Sequence, residues 1–350
     1  MDTFVASVEQ CWLGTWLGPS LVEFGSHGMR VLGLMDDEGD GSLKRSPAQV
    51  HIPGTLLPGL VDAHVHLGLV DPSEVVRGGI AVVHDLGWEP VSIRRWKHEA
   101  GRSVELPEVL MAGAFLAPPG GYPGGRDWAP AGSVDCIATV EDIPDAVERQ
   151  ITAGADHIKV TLNAQAGPVF DEAFLNRIVA VAHDRGRKVV AHAEGSGQAA
   201  KAFAAGVDVL AHAPWTERLD EGLLQAMAGS MSWISTLDIH GWGNYGCDFE
   251  TAQENIRRFH AAGGRVSYGT DMGNGATITG INTRELQALQ DAGLGPGELL
   301  AAMLPSNATA PAGQRFSWHP AADIPGPGEM ATWLAGVTVV HSTQIKEKFS

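Results

Sequence analysis

Cysteine is scarce in this sequence. The 350 residues include three cysteines, Cys11, Cys136 and Cys247, which lie far apart and form no Cys-x-x-Cys pair. This spacing argues against a disulfide framework. Proteins without disulfides are typical of reducing compartments, and we therefore expect a cytoplasmic protein.

Long apolar runs are also missing, and basic residues are fewer than acidic ones. No apolar run approaches the length of a transmembrane helix, and the N-terminus carries Asp2 and Glu9 in place of a basic signal-peptide region. Lys and Arg total 24 against 41 Asp and Glu, which gives a formal net charge of -17 at pH 7. Because phosphate and anionic lipid attract basic surfaces, we expect neither a nucleic-acid nor a membrane partner.

From residue 58 onward, apolar strand-like runs alternate with helix-like segments. Eight runs have the character of strands, at 60–66, 79–86, 109–116, 157–162, 188–193, 207–213, 231–237 and 265–271. Between two of them, Phe174, Ile178 and Val181 recur with helical spacing in 171–187. Eight strands that each precede a helix predict an α/β fold, a (β/α)8 TIM-type barrel. The rival, a doubly wound open sheet, is disfavoured because no Gly-x-Gly-x-x-Gly follows the first strand.

Both chain ends are rich in β-type residues. Short runs of this kind lie at 20–24, 29–34 and 326–340. A polar loop at 36–40 breaks the first region, and a loose tail is expected at 346–350. We therefore expect a small β-sandwich domain built from residues 1–57 and 314–350, beside a barrel of residues 58–313.

The first barrel strand ends in two histidines, His64 and His66. Because side chains alternate across a strand, these two point to the same side while Val65 points away. Two imidazoles on one face can bind one metal ion. A chance His-x-His is common, so the pair needs further ligands from elsewhere in the chain.

Further candidate ligands lie at or near the ends of later strands. His192, His212 and Asp271 end the fifth, sixth and eighth strands, at the barrel face where active sites lie. Lys159 is in the middle of the apolar fourth strand, where a buried ammonium is costly. Either it forms a buried ion pair, or its neutral amine takes up carbon dioxide and becomes an anionic carbamate that bridges two metals.

Five motifs occur in a specific order: PGLVDAHVHL (58–67), GADHIKV (154–160), VVAHAEG (189–195), VDVLAHA (207–213) and GTDMG (269–273). Together they resemble the metal-dependent amidohydrolase superfamily, and within it the imidazolonepropionase-like and prolidase-like group that carries a strand-four lysine. The resemblance implies two divalent metal ions and six ligands. These are His64, His66 and Asp271 for one ion, His192 and His212 for the other, and N6-carboxylated Lys159 between them.

Such a site supports hydrolysis. Two ions can hold a hydroxide between them and polarise a carbonyl, while Asp271 accepts a proton and delivers it to a leaving amine. Zinc is favoured because it is redox-inert and accepts mixed nitrogen and oxygen ligands, with manganese, iron and cobalt as alternatives. We expect cleavage of a C–N bond in a small amide, lactam, cyclic imide, N-acyl amino acid or dipeptide.

Three other functions are compatible with this scaffold. Heterocycle deamination is one, although it usually needs one metal in this superfamily and leaves Lys159 without a role. Lactone, ester or organophosphate hydrolysis is another. A non-catalytic relative would typically lack one or more ligands, whereas all six are present here.

Two loops are expected to contact the small-molecule substrate. The loop at 118–126 follows the third strand and contains Tyr122, and the loop at 238–245 follows the seventh and contains His240 and Trp242. Tryptophans follow three strand ends and indicate a partly apolar pocket: Trp88, Trp215 and Trp242. A homo-oligomer, most simply a dimer, is the default expectation.

Overall fold

The N-terminal strands open the chain and include the runs predicted at 20–24 and 29–34. The structure, a computed structural model, describes residues 3–26, 28–35, 48–304 and 313–350. Its first strands are β1 (Phe4–Trp12), β2 (Trp16–Gly25), β3 (Gly28–Leu34) and β4 (Val50–Pro58). The polar loop predicted at 36–40 lies outside the described residues.

A parallel barrel follows, as predicted. Its region contains β5 (Val61–Val65), β6 (Val82–Asp85), β7 (Glu108–Met111), β8 (Phe115–Ala117), β9 (Val134–Cys136), β10 (His157–Asn163), β11 (Lys188–Glu194), β12 (Val209–Leu210), β13 (Ser232–Ile234) and β14 (Arg265–Ser267). The strands pair in the orders β5-β6-β7 and β14-β13-β12-β11-β10-β8-β9. A parallel bridge between Val65 and Met272 links the first strand to the segment after the last.

The third predicted strand, 109–116, is divided into β7 and β8. Gly113 has a φ of 73°, a left-handed conformation that turns the chain between them. The side chain of Gln150 accepts a hydrogen bond from the N–H of Ala114 (2.8 Å) and fixes this turn. A distant glutamine therefore ends a run that is continuously apolar in sequence.

Helices connect the barrel strands. They are α1 (Pro72–Arg77), α2 (Pro90–Ala100), α3 (Ile143–Ala153), α4 (Glu172–Asp184), α5 (Gln198–Ala204), α6 (Glu221–Ala228), α7 (Cys247–Ala261), α8 (Thr283–Asp291) and α9 (Pro296–Ala302). Helix α4 matches the predicted pattern, and the Asp171 carboxylate caps it by accepting the Phe174 N–H (2.8 Å). None of the described helices is both long and apolar enough to cross a membrane.

The C-terminal segment returns to the N-terminal strands. It contains β15 (Arg315–His319), α10 (Met330–Leu334), β16 (Thr338–His341) and α11 (Ile345–Lys348). The composite β domain is confirmed, with the strand order β16-β15-β4-β1-β2-β3. Its strands pair as one mixed sheet, bent by bulges in β1, where the sequence predicted a sandwich. The domain boundaries at 57 and 314 stay a prediction.

Two predictions for this segment are wrong. Trp333 and Leu334 lie in α10 and not in a strand, because the segment buries Met330, Ala331 and Leu334, which have helical spacing. The Trp333 ring stacks on His319, with the centroids 4.2 Å apart. The residues after 345 are no loose tail. Residues 346–348 belong to α11, whose first residue, Ile345, is fully buried.

A stacked pair of buried rings joins the seventh barrel strand to its helix. Trp233 on β13 and Phe259 on α7 are both fully buried, and their ring centroids lie 3.8 Å apart at an interplanar angle of 4°. We predict that Phe259→Ala lowers the free energy of unfolding by about 3–5 kcal/mol, through lost burial and a cavity. Urea unfolding followed by circular dichroism measures this. Phe349→Ala, at a half-buried position of the β domain, is the control, and an equal loss in both variants would contradict the prediction.

Candidate metal centre

The six candidate ligands line one cavity of about 260 Å³ at the carboxyl end of the barrel. His66 directly follows β5, His192 lies in β11, and Lys159 lies in β10. His212 follows β12 by two residues, and Asp271 follows β14 by four. All six are buried: His64, His66, Lys159, His192, His212 and Asp271. The barrel thus brings together residues that are up to about 200 positions apart in the sequence.

The tightest group is formed by His64, His212 and Asp271. One ligand atom of each lies within 4.8 Å of the others. The Oδ1 of Asp271 is 3.3 Å from the Nε2 of His64 and 3.2 Å from the Nε2 of His66. This group contains residues from both ligand sets implied by the resemblance, because the resemblance assigns His64 and His212 to different ions.

Hydrogen bonds to the backbone fix which ring nitrogen of His64 and His66 carries a lone pair. The Nδ1 of His64 donates to the carbonyl of Ala211 (2.8 Å), and the Nδ1 of His66 donates to that of Gly87 (2.9 Å). A carbonyl only accepts, so in the neutral rings the hydrogen is on Nδ1 and the lone pair is on Nε2.

The lone pair on the Nε2 of His64 faces another acceptor, the Oδ1 of Asp271. Burial lowers the pKa of His64 well below its usual value, although Asp271 opposes that shift, so the ring is neutral at pH 7. The His64 Nε2 and the Asp271 Oδ1 are both buried and lack a hydrogen-bond partner among the described residues. Two acceptors at this distance repel each other unless a cation lies between them. The residues therefore fit a divalent metal ion.

The other two histidines are also held by outer partners. The Nε2 of His192 donates to the Glu194 carboxylate (3.0 Å), which in turn accepts from the side-chain amide of Asn163 (2.5 Å). The Nδ1 of His212 is hydrogen-bonded to the hydroxyl of Thr236 (2.9 Å). Each ring keeps its other nitrogen for a ligand, an arrangement common around metal-binding histidines.

Asp62 ties the first strand to the segment after the last, and sequence reasoning missed it. Its carboxylate accepts hydrogen bonds from the N–H of His64 (3.0 Å), the N–H of Thr270 (3.1 Å) and the hydroxyl of Thr270 (2.6 Å). It thereby holds His64 and the neighbour of Asp271 in place. The available signal was its position two residues before His64, on the same strand face.

Lys159 is buried in the floor of the cavity. Its ammonium forms no hydrogen bond or ion pair with any residue in the described part of the chain. Burial lowers its pKa to about 7, although Asp271 and Asp85 oppose the shift. A substantial share of the amine is therefore neutral near pH 7.

All three predicted substrate contacts, Tyr122, His240 and Trp242, line the same cavity. Trp215, singled out as following a strand end, lines it too, whereas Trp88 stacks on Trp128 behind the wall (6.4 Å). Sequence reasoning missed five further lining residues: Phe115, Trp128, Thr161, Ile239 and Asn274. Trp128 lies in the long loop after the third strand, which was the one signal available for it.

An ionic network holds the loop after the seventh strand. The Asp238 carboxylate accepts two hydrogen bonds from the Arg284 guanidinium (2.8 and 2.7 Å) and one each from Asn282 and Tyr245. The indole N–H of Trp242 donates to the hydroxyl of Thr277 (3.2 Å), beyond the eighth strand. The loops on this side of the cavity are therefore fixed to each other.

The fold and the cavity define a TIM-barrel enzyme with a buried, histidine-rich site. The model of the Amidohydrolase family matches residues 55–303. The chain belongs to the amidohydrolase family, which identifies it as a hydrolytic enzyme acting on C–N bonds.

Two kinds of relatives are similar to the chain. Uncharacterised proteins of Mycobacterium tuberculosis and Mycobacterium bovis are 27% identical, covering 78% of this chain and 82% of theirs. Among solved structures, a Xaa-Pro dipeptidase with bound methionine has a TM-score of 0.75 at 17% identity, covering 97% of this chain and 98% of its own. An ochratoxinase of A. niger has a TM-score of 0.76 at 20% identity, covering 98% and 95%. At these identities the solved structures support the fold.

Removal of the Asp62 carboxylate should weaken metal binding. Asp62→Ala frees the backbone of His64 and Thr270, and we expect the affinity for zinc to fall by about 10–100-fold. Competition against a chromophoric chelator measures the affinity, and circular dichroism checks the fold. Asp71→Ala is the control because it removes an exposed helix cap outside the cavity. Unchanged zinc affinity in Asp62→Ala would show that Asp62 does not position the site.

Proposed function

We propose that this protein is a binuclear metal-dependent hydrolase that cleaves a C–N bond in a small amide, lactam, cyclic imide, N-acyl amino acid or dipeptide. The observation that carries the proposal is the opposition of two lone-pair atoms, the His64 Nε2 and the Asp271 Oδ1, 3.3 Å apart in a buried cavity. A bound cation turns this repulsion into coordination.

By the resemblance, the six ligands would divide between two ions. His64, His66 and Asp271 would hold one, and His192 and His212 the other. A carboxylated Lys159 would supply oxygen ligands to both. In support, Lys159 is buried in the same cavity as the four histidines, and its amine has no hydrogen-bond partner among the described residues. Zinc is favoured because four imidazoles with oxygen ligands suit it.

The metal ions would lower the pKa of water toward neutrality and polarise the substrate carbonyl. A side chain of the protein would transfer the proton of the attacking water. Asn274 donates to the Asp271 Oδ2 (2.8 Å), which leaves Oδ1 directed to the cavity. The Asp271 carboxylate would accept the proton of the attacking water and deliver it to the nitrogen of the leaving amine.

The size of the cavity favours a small substrate. About 260 Å³ enclosed by loops suits a small molecule and not a long peptide. The solved neighbours named as a Xaa-Pro dipeptidase and an ochratoxinase have the same fold and are in keeping with this class. Heterocycle deamination and ester or lactone hydrolysis remain the alternatives, and the first gives Lys159 no role. A cytoplasmic location and a homo-oligomer remain predictions.

The metal content of the protein and the activity of a Lys159 variant together test the proposal. We expect about two equivalents of divalent metal per chain, and at least about a 100-fold loss of kcat/KM in Lys159→Ala together with reduced metal content. Elemental analysis gives the content, and a screen of N-acyl amino acids, dipeptides, lactams and cyclic imides gives the activity. Lys188→Ala, at an exposed position that begins β11, is the matched control. Full activity of Lys159→Ala, or no bound metal in the parent protein, would contradict the binuclear mechanism.

A further inference from the structure

Aromatic and heteroaromatic rings form most of the cavity wall beyond the candidate ligands. The rings are those of Phe115, Tyr122, Trp128, Trp215, His240 and Trp242. Burial lowers the pKa of His240 to about 4, so this ring is uncharged at pH 7. The wall therefore offers flat, uncharged faces to whatever enters.

Some of these rings contact the candidate ligands directly. Tyr122 stacks on His192 with the centroids 5.2 Å apart, and Trp215 is edge-on to His192 (5.8 Å) and His212 (5.5 Å). Trp215 also contacts His240, with centroids 5.0 Å apart. A substrate group attached to the scissile bond would therefore contact aromatic rings directly.

Apart from Ile239, the rest of the wall consists of acidic and neutral polar groups. Lys159 and Asp271 belong to the candidate ligand set, and the remaining charged residue of the described lining is Glu194. The guanidinium of Arg126 lies over the Tyr122 ring at 5.9 Å, on an exposed residue outside that lining. A substrate carboxylate held beside Glu194 and away from the candidate ligands would meet like charge in a partly dehydrated site.

A second lobe of about 200 Å³ adjoins the cavity. It adds Leu69, Gly273 and Gly275 and shares five residues with the main lobe: His66, Tyr122, Trp128, Asp271 and Asn274. A Cβ at Gly273 would lie 2.7 Å from the Cβ of Leu69, so the glycine lets Leu69 pack directly against the backbone of this lobe. Asp271 thus lies where the two lobes meet, with room for a substrate group on each side.

We propose that the substrates are uncharged N-aryl amides, with an aromatic ring on the nitrogen in the main lobe and a small apolar acyl group in the second lobe. The proposal rests on the proposed function and names its substrate class. Water adds its oxygen to the carbonyl carbon, the C–N bond breaks, and the nitrogen takes a proton, giving a carboxylic acid and an arylamine. N-acyl amino acids and dipeptides with a free carboxylate are then poor substrates.

Three matched amides test the proposal. Acetanilide has the aromatic ring, N-cyclohexylacetamide replaces it with a saturated ring, and 4-acetamidobenzoate adds a carboxylate. We expect zinc-loaded protein to bind acetanilide at least about fivefold more tightly than either analogue in calorimetric titrations, and to cleave it with at least about tenfold higher kcat/KM. Equal or tighter binding of 4-acetamidobenzoate or N-cyclohexylacetamide would overturn the proposal.

Variants test which part of the cavity gives the preference for an aromatic ring. We expect Trp215→Leu to bind acetanilide no more than about twofold more tightly than N-cyclohexylacetamide, because the substitution removes an aromatic face. Trp318→Leu, in the β domain, should leave the ratio unchanged, and so should Arg126→Ala. A ratio that survives Trp215→Leu would overturn the assignment of the ring to the main lobe. The comparison in the parent protein needs no variant and decides the substrate class even if Trp215→Leu does not fold.

Binding and turnover separate this proposal from the one on which it rests. Preferential binding of acetanilide with no cleavage of any amide would support the substrate class and overturn the hydrolytic mechanism. Cleavage of amides with a preference for the carboxylate or the saturated ring would support the mechanism and overturn the substrate class.

Discussion

Repulsion between two buried acceptors is the constraint on which the site depends. The Nε2 of His64 and the Oδ1 of Asp271 are 3.3 Å apart, and the carbonyl of Ala211 fixes the ring hydrogen on the other nitrogen of His64. With the His64 ring neutral, neither atom has a hydrogen-bond partner in the described part of the chain. The barrel must therefore hold the two atoms together by other means until a cation binds.

Contacts between the first barrel strand and the segment after the last strand hold these two atoms together. Asp62 receives hydrogen bonds from both sides, and the bridge between Val65 and Met272 joins the same two segments. Asp271 itself has a φ of 52°, an uncommon conformation for a residue with a side chain. Strain of this kind persists where surrounding contacts determine the backbone, and it is frequent at functional sites.

The sequence predicted the barrel and the gathering of six residues, because strand order and the position of a residue along its strand are local properties. It did not predict the turn at Gly113, which depends on Gln150, or the helix at Trp333, whose ring stacks on His319. Nor did it predict Phe115 and Trp128 in the cavity wall. Each of these depends on a contact between distant segments, which no local pattern records.

The central claim is that two metal ions lie among these six side chains. Anomalous diffraction from crystals of zinc-loaded protein, collected on both sides of the zinc absorption edge, tests it most directly. The account predicts two peaks in the cavity, one contacted by His64, His66 and Asp271 and the other by His192 and His212, with density for a carbamate on Lys159 between them. A cavity without an anomalous peak, or zinc bound only elsewhere on the chain, would contradict it.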